Sequence, residues 1–334
     1  MDLEKTRAAC VRRRMEEDAL AEMGLHCDGF LSGRMEHMGY IYKPKNPREA
    51  EPLFAGWGET MIDSCLQGIM GEIYVVGDGS AAPRSAKAVL GDFCFLAGEP
   101  NVDLAVHKPK GCGKNFWIMV ARDSFEDSSQ EALGLQKFRD SAGGITIPQE
   151  RKEICGEESS GMTWESAIRR AYGHSVRRVT RYAIKKEPGV WDPNRLRRAV
   201  AGLSHEYSLN LIDGELYRKC LENSWSRDLV AQYGSYERFQ EWGLGAVILK
   251  GEELVAGASS YSSYRGGIEV EIDTREDQRR RGLAYVCGAR LILECCSRSL
   301  YPSWDAHNLW SVALAEKLGY HFDHSYTAYE TEGG

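Results

Sequence analysis

No apolar run in the 334-residue chain approaches the roughly 18 residues needed to cross a bilayer, which excludes a membrane-spanning helix. Ten cysteines are present, at 10, 27, 65, 94, 112, 155, 220, 287, 295 and 296, yet none forms a C-x-x-C pair and their spacing is irregular. That pattern argues against a zinc site or a disulfide framework, so they read as reduced, packed thiols of a cytosolic protein. A positive balance is missing too. The 42 Lys and Arg stand against 49 Asp and Glu, a net charge of -7, which excludes a general nucleic-acid binder. The first 36 residues carry eight acidic and six basic side chains and no long apolar core, unlike a secretory signal or a transit peptide. Internal repeats and low-complexity tracts are also lacking.

What is present is an ordinary globular composition, 43% hydrophobic and 27% charged, in a chain long enough for about two domains with cores of their own. Residues 1–37 are charged and helix-prone, and predict an appended helix. Residues 38–160 predict a smaller α/β domain: a helix over Glu51 to Met70 interrupted by Gly56 and Gly58, then strands at Glu72 to Val76, Ala86 to Leu96 and Asn115 to Val120. A looser region runs from about 150 to 175 and includes little apolar sequence after Ile145 to Ile147. From 175 to 330 the signals sharpen. Strands are expected at Val176 to Lys186 and Tyr207 to Ile212. Asp192 with Pro193, and then Asp213, read as helix starts. Strands follow at Leu244 to Lys250, Leu254 to Tyr264 and Ile268 to Thr274, then a helix from Ala284 to Arg298, a strand from Leu300 to Asp305, a helix from Leu309 to Leu318 stopped by Gly319, and a last strand from Phe322 to Tyr329.

The chemistry concentrates after Ile268. In that strand Ile268, Val270 and Ile272 face one side, and Glu269, Glu271 and Asp273 face the other. The second face reads either as solvated or as three acids tuning one another's protonation. Gln278-Arg279-Arg280-Arg281-Gly282-Leu283-Ala284 then leads into a helix. Amides at a helix start have no partners and carry partial positive charge, Gly282 lets a ligand approach the backbone, and the arginines add charge, so the turn suits a diphosphate.

One strand further on stands Asn308-Leu309-Trp310-Ser311-Val312-Ala313-Leu314-Ala315-Glu316-Lys317-Leu318-Gly319-Tyr320. With Arg279, Gly282 and Ala284 in the turn, this stretch resembles the Gcn5-related N-acetyltransferase (GNAT) superfamily over about 175–330. Runs such as Arg181-Tyr182-Ala183-Ile184-Lys185-Lys186-Glu187 and Tyr301-Pro302-Ser303-Trp304-Asp305-Ala306 look like a bacterial subgroup with an extra N-terminal GNAT-like domain. Residues 40–150 have no phosphate turn. The fold so implied is α/β with a mixed sheet, an acyl-CoA N-acyltransferase domain behind a smaller α/β one.

The resemblance implies an acetyl-CoA-dependent N-acetyltransferase acting on a small-molecule or peptide amine, with no metal, nucleic acid or membrane partner, and leaves room for a homodimer. Cytoplasmic location is the matching expectation. The coenzyme is expected in a wedge between two parallel strands, near Ile272, Asp273, Thr274, Arg279, Arg280, Arg281, Gly282, Leu283, Ala284 and Asn308. Glu271 is the first choice of base, with Glu269 and Asp273 as alternatives. The tyrosine that often serves as acid in this family is Ala315 here; Tyr261, Tyr264 or Tyr301 could stand in, Tyr261 first. Trp304, Asp305, His307 and Tyr264 are expected to line the acceptor pocket, where Glu269, Glu271, Asp273 and Asp305 together favour a cationic acceptor. A non-catalytic acyl-CoA-binding or regulatory protein is the alternative, and a third reading has the N-terminal domain recruiting a protein substrate. The seven basic residues of Arg169 to Lys186 read as a solvated face or a contact for the 3′-phosphate.

Overall fold

The computed structural model describes residues 40–123 and 161–331. The helix expected over 1–37, the stretch Ile145 to Ile147, and Cys10, Cys27 and Cys155 lie outside them. Strand β1 (Tyr40–Tyr42) leads to a 3-10 turn at Pro47–Phe54, whose start is a capping box between Asn46 and Glu49. The long helix expected over 51–70 is cut in two. Gly56 and Gly58 sit at φ of 75° and 62°, where a helix cannot continue, and the helical part resumes only as α1 (Thr60–Leu66). The strand expected over 86–96 is a hairpin instead. Strand β2 (Glu72–Gly77) is followed by β3 (Ser85–Leu90) and β4 (Phe93–Gly98), and the chain turns between the last two at Gly91 and Asp92. Helix α2 (Val102–Val106) and β5 (Ile118–Asp123) complete this part.

From residue 161 onward come α3 (Trp164–Tyr172), β6 (Val176–Ile184), α4 (Pro193–Ala201), β7 (Tyr207–Leu211), α5 (Gly214–Glu222) and α6 (Tyr236–Trp242). The capping residues read from the sequence act locally: Asp192 accepts the amide of Asn194, and Asp213 those of Glu215 and Leu216. Strands β8 (Gly245–Lys250), β9 (Glu253–Tyr264) and β10 (Gly267–Thr274) form a meander. Then follow α7 (Leu283–Ser297), β11 (Tyr301–Ser303), β12 (Asp305–Ala306), α8 (Leu309–Leu318) and β13 (Phe322–Thr331).

These strands make two mixed sheets. One has eight strands in the order β1-β2-β3-β4-β5-β13-β6-β12, and the other five in the order β11-β10-β9-β8-β7. Among the described residues only β4–β5 and β10–β11 are parallel pairs. The larger sheet does not stop where the early strands end. Strand β13 pairs β5 through Tyr329↔Met119 and Glu330↔Ile118, and on its other side pairs β6. Across that second seam, Arg177 Nη2 meets Glu330 Oε2 at 2.7 Å, directly opposite in register.

Covering both faces of a strand explains its continuous apolar run. On β2, Ile73 and Val75 enter the core between the two sheets, where α1 and residues Val247 and Tyr261 also pack. Tyr74 and Val76 enter the opposite core, under α2 and α3 with Trp117 and Trp164. The smaller sheet repeats this. Val247 faces the inter-sheet core, and Ile248 packs with Ile268, Leu283 and Leu291 beneath α7. A fourth cluster joins α4, α7 and α8 around Trp304, Ala315 and Tyr320.

Candidate active site

Strand β10 pairs antiparallel with β9 over all eight residues from Gly267 to Thr274. Its parallel partner β11 accompanies it only at Gly267, Ile268 and Glu269. There the chain leaves the sheet. The strand expected from Leu300 to Asp305 is two pieces, because Trp304 turns into a core and Asp305 and Ala306 pair with Ala183 and Tyr182 in the other sheet. Among the described residues no strand therefore pairs with that edge of β10 from Val270 to Thr274, and a shift in the β9 register falls between Glu269 and Val270, at the same place. Two parallel strands that part company midway form a wedge with free backbone donors and acceptors on one wall.

At the wide end of the wedge lies the arginine-rich turn. Gly282 has φ of 79° and Arg280 has φ of 62°. A left-handed arginine is uncommon and marks a turn whose shape its surroundings impose. Helix α7 opens with no side-chain cap, and the first in-helix bond is from Val286 N–H to Gly282 C=O, so the amides before Val286 are free for an anion. A Cβ on Gly282 would meet nothing within 4 Å, which leaves room for a ligand over the turn. Thr274 Oγ1 beside it is buried without a hydrogen-bond partner among the described residues. Arg279 Nε donates to Thr274 C=O at 3.3 Å, and the Arg280 guanidinium lies 5.9 Å from the ring centre of Trp310, which is 74% exposed. Arg281 is exposed, Ala284 half-buried and Leu283 buried in the core under α7. Ile272 packs on that same core, and Asp273 accepts the amide of Thr274 at 2.7 Å. Asn308 caps α8, its Oδ1 accepting the amides of Trp310 and Ser311 at 3.0 Å each. Free amides, positive side chains, an orphaned hydroxyl and an unpaired strand edge fit a coenzyme with a diphosphate and an amide-bearing arm.

The acidic face of β10 is closed at Glu269 and partly exposed at Glu271 and Asp273. Ile268, Val270 and Ile272 pack toward α7, so the three acids point between the two sheets. Glu269 is 5% exposed. Its Oε2 accepts Thr60 Oγ–H at 2.5 Å, and its Oε1 is buried with no partner among the described residues. Burial, and then repulsion from Glu59, push its pKa up to about 8. Glu271 keeps part of its surface open, yet burial, Asp228 and Asp273 push it up to about 8 as well. Asp273 is raised by burial.

A cavity of about 620 Å³ includes Glu269 in its lining, with Trp304, Asp305, Trp57, Glu59 and Lys186. Glu271 and Tyr261 do not line it. The Tyr261 hydroxyl accepts the Asp92 amide at 2.8 Å, its ring packs on Phe93, and burial holds its proton on well above the usual phenol range. Tyr301 accepts the Glu187 amide at 2.9 Å and bonds Lys185 C=O at 3.2 Å. Tyr264, raised to about 12 by burial, covers Gly267 so closely that a Cβ there would lie 2.3 Å from its hydroxyl. His307 stands outside the cavity beside Asn308, at 3.5 Å.

Asp305 carries a buried ion pair. Its Oδ2 accepts Arg181 Nε and Nη2 at 2.8 and 2.5 Å, and its Oδ1 accepts Tyr326 O–H at 2.9 Å. Its charge is therefore matched before any acceptor arrives. Trp304 bonds Ser311 Oγ through Nε1 at 3.0 Å and gives the cavity its ring. Three further residues, Trp57, Glu59 and Thr60, escape sequence reasoning. The only local trace is an acid ahead of Thr-Met-Ile that suits a helix start, and nothing local links it to a strand 209 positions away.

A sequence model of the GNAT acetyltransferases matches residues 51–139 and 148–329. The chain belongs to the GNAT acetyltransferase family. The match takes in both sheets, and the family draws its acetyl group from acetyl-CoA. Over 180 residues this acetyltransferase is 28% identical to YdfB of Bacillus subtilis (strain 168), an uncharacterized N-acetyltransferase, covering 47% of this chain and 69% of that one. A crystal structure of a GCN5-related N-acetyltransferase-like protein from Streptococcus suis 89/1591 is 43% identical. It covers 86% of this chain and 98% of its own, at a TM-score of 0.69. The fold is thus an α/β GNAT domain behind a smaller α/β domain. Among the described residues of this acetyltransferase no helix is long and apolar enough to cross a membrane.

Proposed function

We propose that this acetyltransferase moves the acetyl group of acetyl-CoA to a primary amine that reaches the wedge through the cavity at Glu269. The observation that carries this reading is the Oε1 of Glu269, which has no partner among the described residues and is buried where β10 and β11 separate, on a side chain that lines that cavity. The amides of Gly282 to Tyr285 with Arg279 to Arg281 would hold the diphosphate, and the edge of β10 from Val270 to Thr274 the pantetheine arm. When bound there, the coenzyme supplies an acetyl thioester, an electrophile for a neutral amine.

The chain's own task is to make that amine neutral and to place it. Glu269 takes a proton from the incoming nitrogen, and a basicity near neutral pH suits this work, since the group is neither too acidic to accept a proton nor locked in its protonated form. Glu271 lies one pleat further along, outside the cavity, and its raised pKa leaves it largely protonated near neutral pH. Ala315, where the family often has its acid, is fully buried in the core under α8 and offers no proton. Thiol release with a broad amine panel, alongside calorimetry with acetyl-CoA, tests the reading. Saturable binding and amine-dependent release are expected, and binding without release from any amine would favour an acyl-CoA-binding protein.

A further inference from the structure

Acetyl transfer as described leaves Glu59 unused. This residue opens α1, where its Oε1 accepts the Met61 amide at 3.1 Å. Its neighbour Thr60 holds Glu269 Oε2 at 2.5 Å. Both carboxylates line one cavity, and the free Oε1 of a residue only 5% exposed is a second, separate sign that a donor belongs there. The surrounding charges do not meet that need. Asp305 is matched by Arg181 and Tyr326. Lys186 bonds Gly58 C=O, and among the described residues no ion pair joins it to either glutamate. Asp63 and the phenols of Tyr264 and Tyr301 complete the surroundings. Burial raises both Glu59 and Glu269, the Glu59 charge raises Glu269 further, and the nearby Lys186 charge offsets part of both shifts. Two acids so placed retain a proton between them unless a cation arrives.

We propose that Glu59 of the N-terminal half and Glu269 together form the ammonium-binding site for the acceptor, with Thr60 as the positioning residue that turns Glu269 Oε1 into the cavity. The ligand class is a primary alkylammonium. It has three N–H donors, enough for Oε1 and for the Glu59 carboxylate, and one charge, enough to let both acids ionise. One N–H bond of the ammonium then breaks. Its proton goes to Glu269 Oε1, its electron pair stays on nitrogen, and Glu59 remains ionised. The smaller N-terminal domain thereby holds part of the substrate. This rests on the acetyltransfer reading only in taking the ligand to be the acceptor.

Glutamate carboxyls isotope-labelled in the full chain are titrated by NMR, with Glu269→Gln assigning the signal. In the wild type, n-butylammonium chloride is expected to lower the Glu269 midpoint by about one pH unit or more, while tetramethylammonium chloride, which has no N–H, leaves it in place. In Glu59→Gln, whose side-chain oxygen still caps α1, the midpoint starts lower and n-butylammonium hardly moves it. Thr60→Val blunts the response and Thr60→Ser restores it. Equal displacement by both salts, no displacement by either, or an unchanged response in Glu59→Gln overturns the proposal. Calorimetry with acetyl-CoA on the same samples keeps the two readings apart, because loss of coenzyme binding in the wild type would remove the acetyltransferase reading and leave the ammonium response standing.

Discussion

Replacing Gly282 by glutamate sets a carboxylate over the turn that would hold the diphosphate. The structure separates the two costs. A Cβ at 282 meets nothing within 4 Å, so the fold loses only what a left-handed φ of 79° exacts from a residue with a side chain, about 1–2 kcal/mol. The binding cost is electrostatic. At about 5 Å, like charges repel by about 1 kcal/mol under water-like screening and about 3 kcal/mol at the effective dielectric of a partly covered surface, or roughly 5- to 150-fold in affinity. Gly282→Ala carries the strain without the charge. Calorimetry with acetyl-CoA on the three proteins, with thermal melts beside it, should show both variants folded, Gly282→Ala close to wild type in affinity, and Gly282→Glu weakened by at least the lower bound. Wild-type affinity in Gly282→Glu would refute the placement of the diphosphate at α7.

Glu269→Gln should lower turnover about 100-fold or more while leaving acetyl-CoA affinity within about threefold, since it removes a proton acceptor and no coenzyme contact; steady-state thiol release and calorimetry check the split. Stability should depend on pH through the same group. The Glu269 pKa is raised in the folded state from 4.5 to about 8, so its stabilising contribution is complete below pH 4.5 and is lost as pH rises through about 8. Glu269→Gln should therefore melt above the wild type at pH 8.5, and the gap should close toward pH 5. Arg181→Ala strands the carboxylate of Asp305, whose side chain is 10% exposed, and should cost about 3–5 kcal/mol in denaturant unfolding; pairing it with Asp305→Asn should recover part of that loss.

Much of the second domain was legible because its signals are local. Asp192, Asp213, Asn308 and Gly319 cap or end helices through bonds to residues within four positions. The glycine at 282 and the strands β8, β9 and β10 follow from turn chemistry and alternation. Reading failed where a distant partner decides. Alternation alone leaves the acids of β10 open between a solvated face and mutual tuning, and the burial of Glu269 depends on the other sheet. Trp304 and Asp305 look like the end of one strand, and only the buried Arg181 explains why the chain leaves its sheet there. Glu59 and Thr60 had no chemistry at all until α1 came to lie against β9 and Glu269, with Ser64 Oγ bonded to Ser263 C=O at 2.6 Å.

The placement of β13 has a consequence for anyone who wishes to cut the molecule apart. Its ten residues are the clasp between strands contributed early and late, taking β5 along one side and β6 along the other. An excised early fragment would present β5 as a bare edge, ready to recruit foreign strands, and an excised late fragment would keep its clasp with nothing to fasten. Expressing the halves separately should yield insoluble material, whereas supplying both together should let them reassociate along that seam.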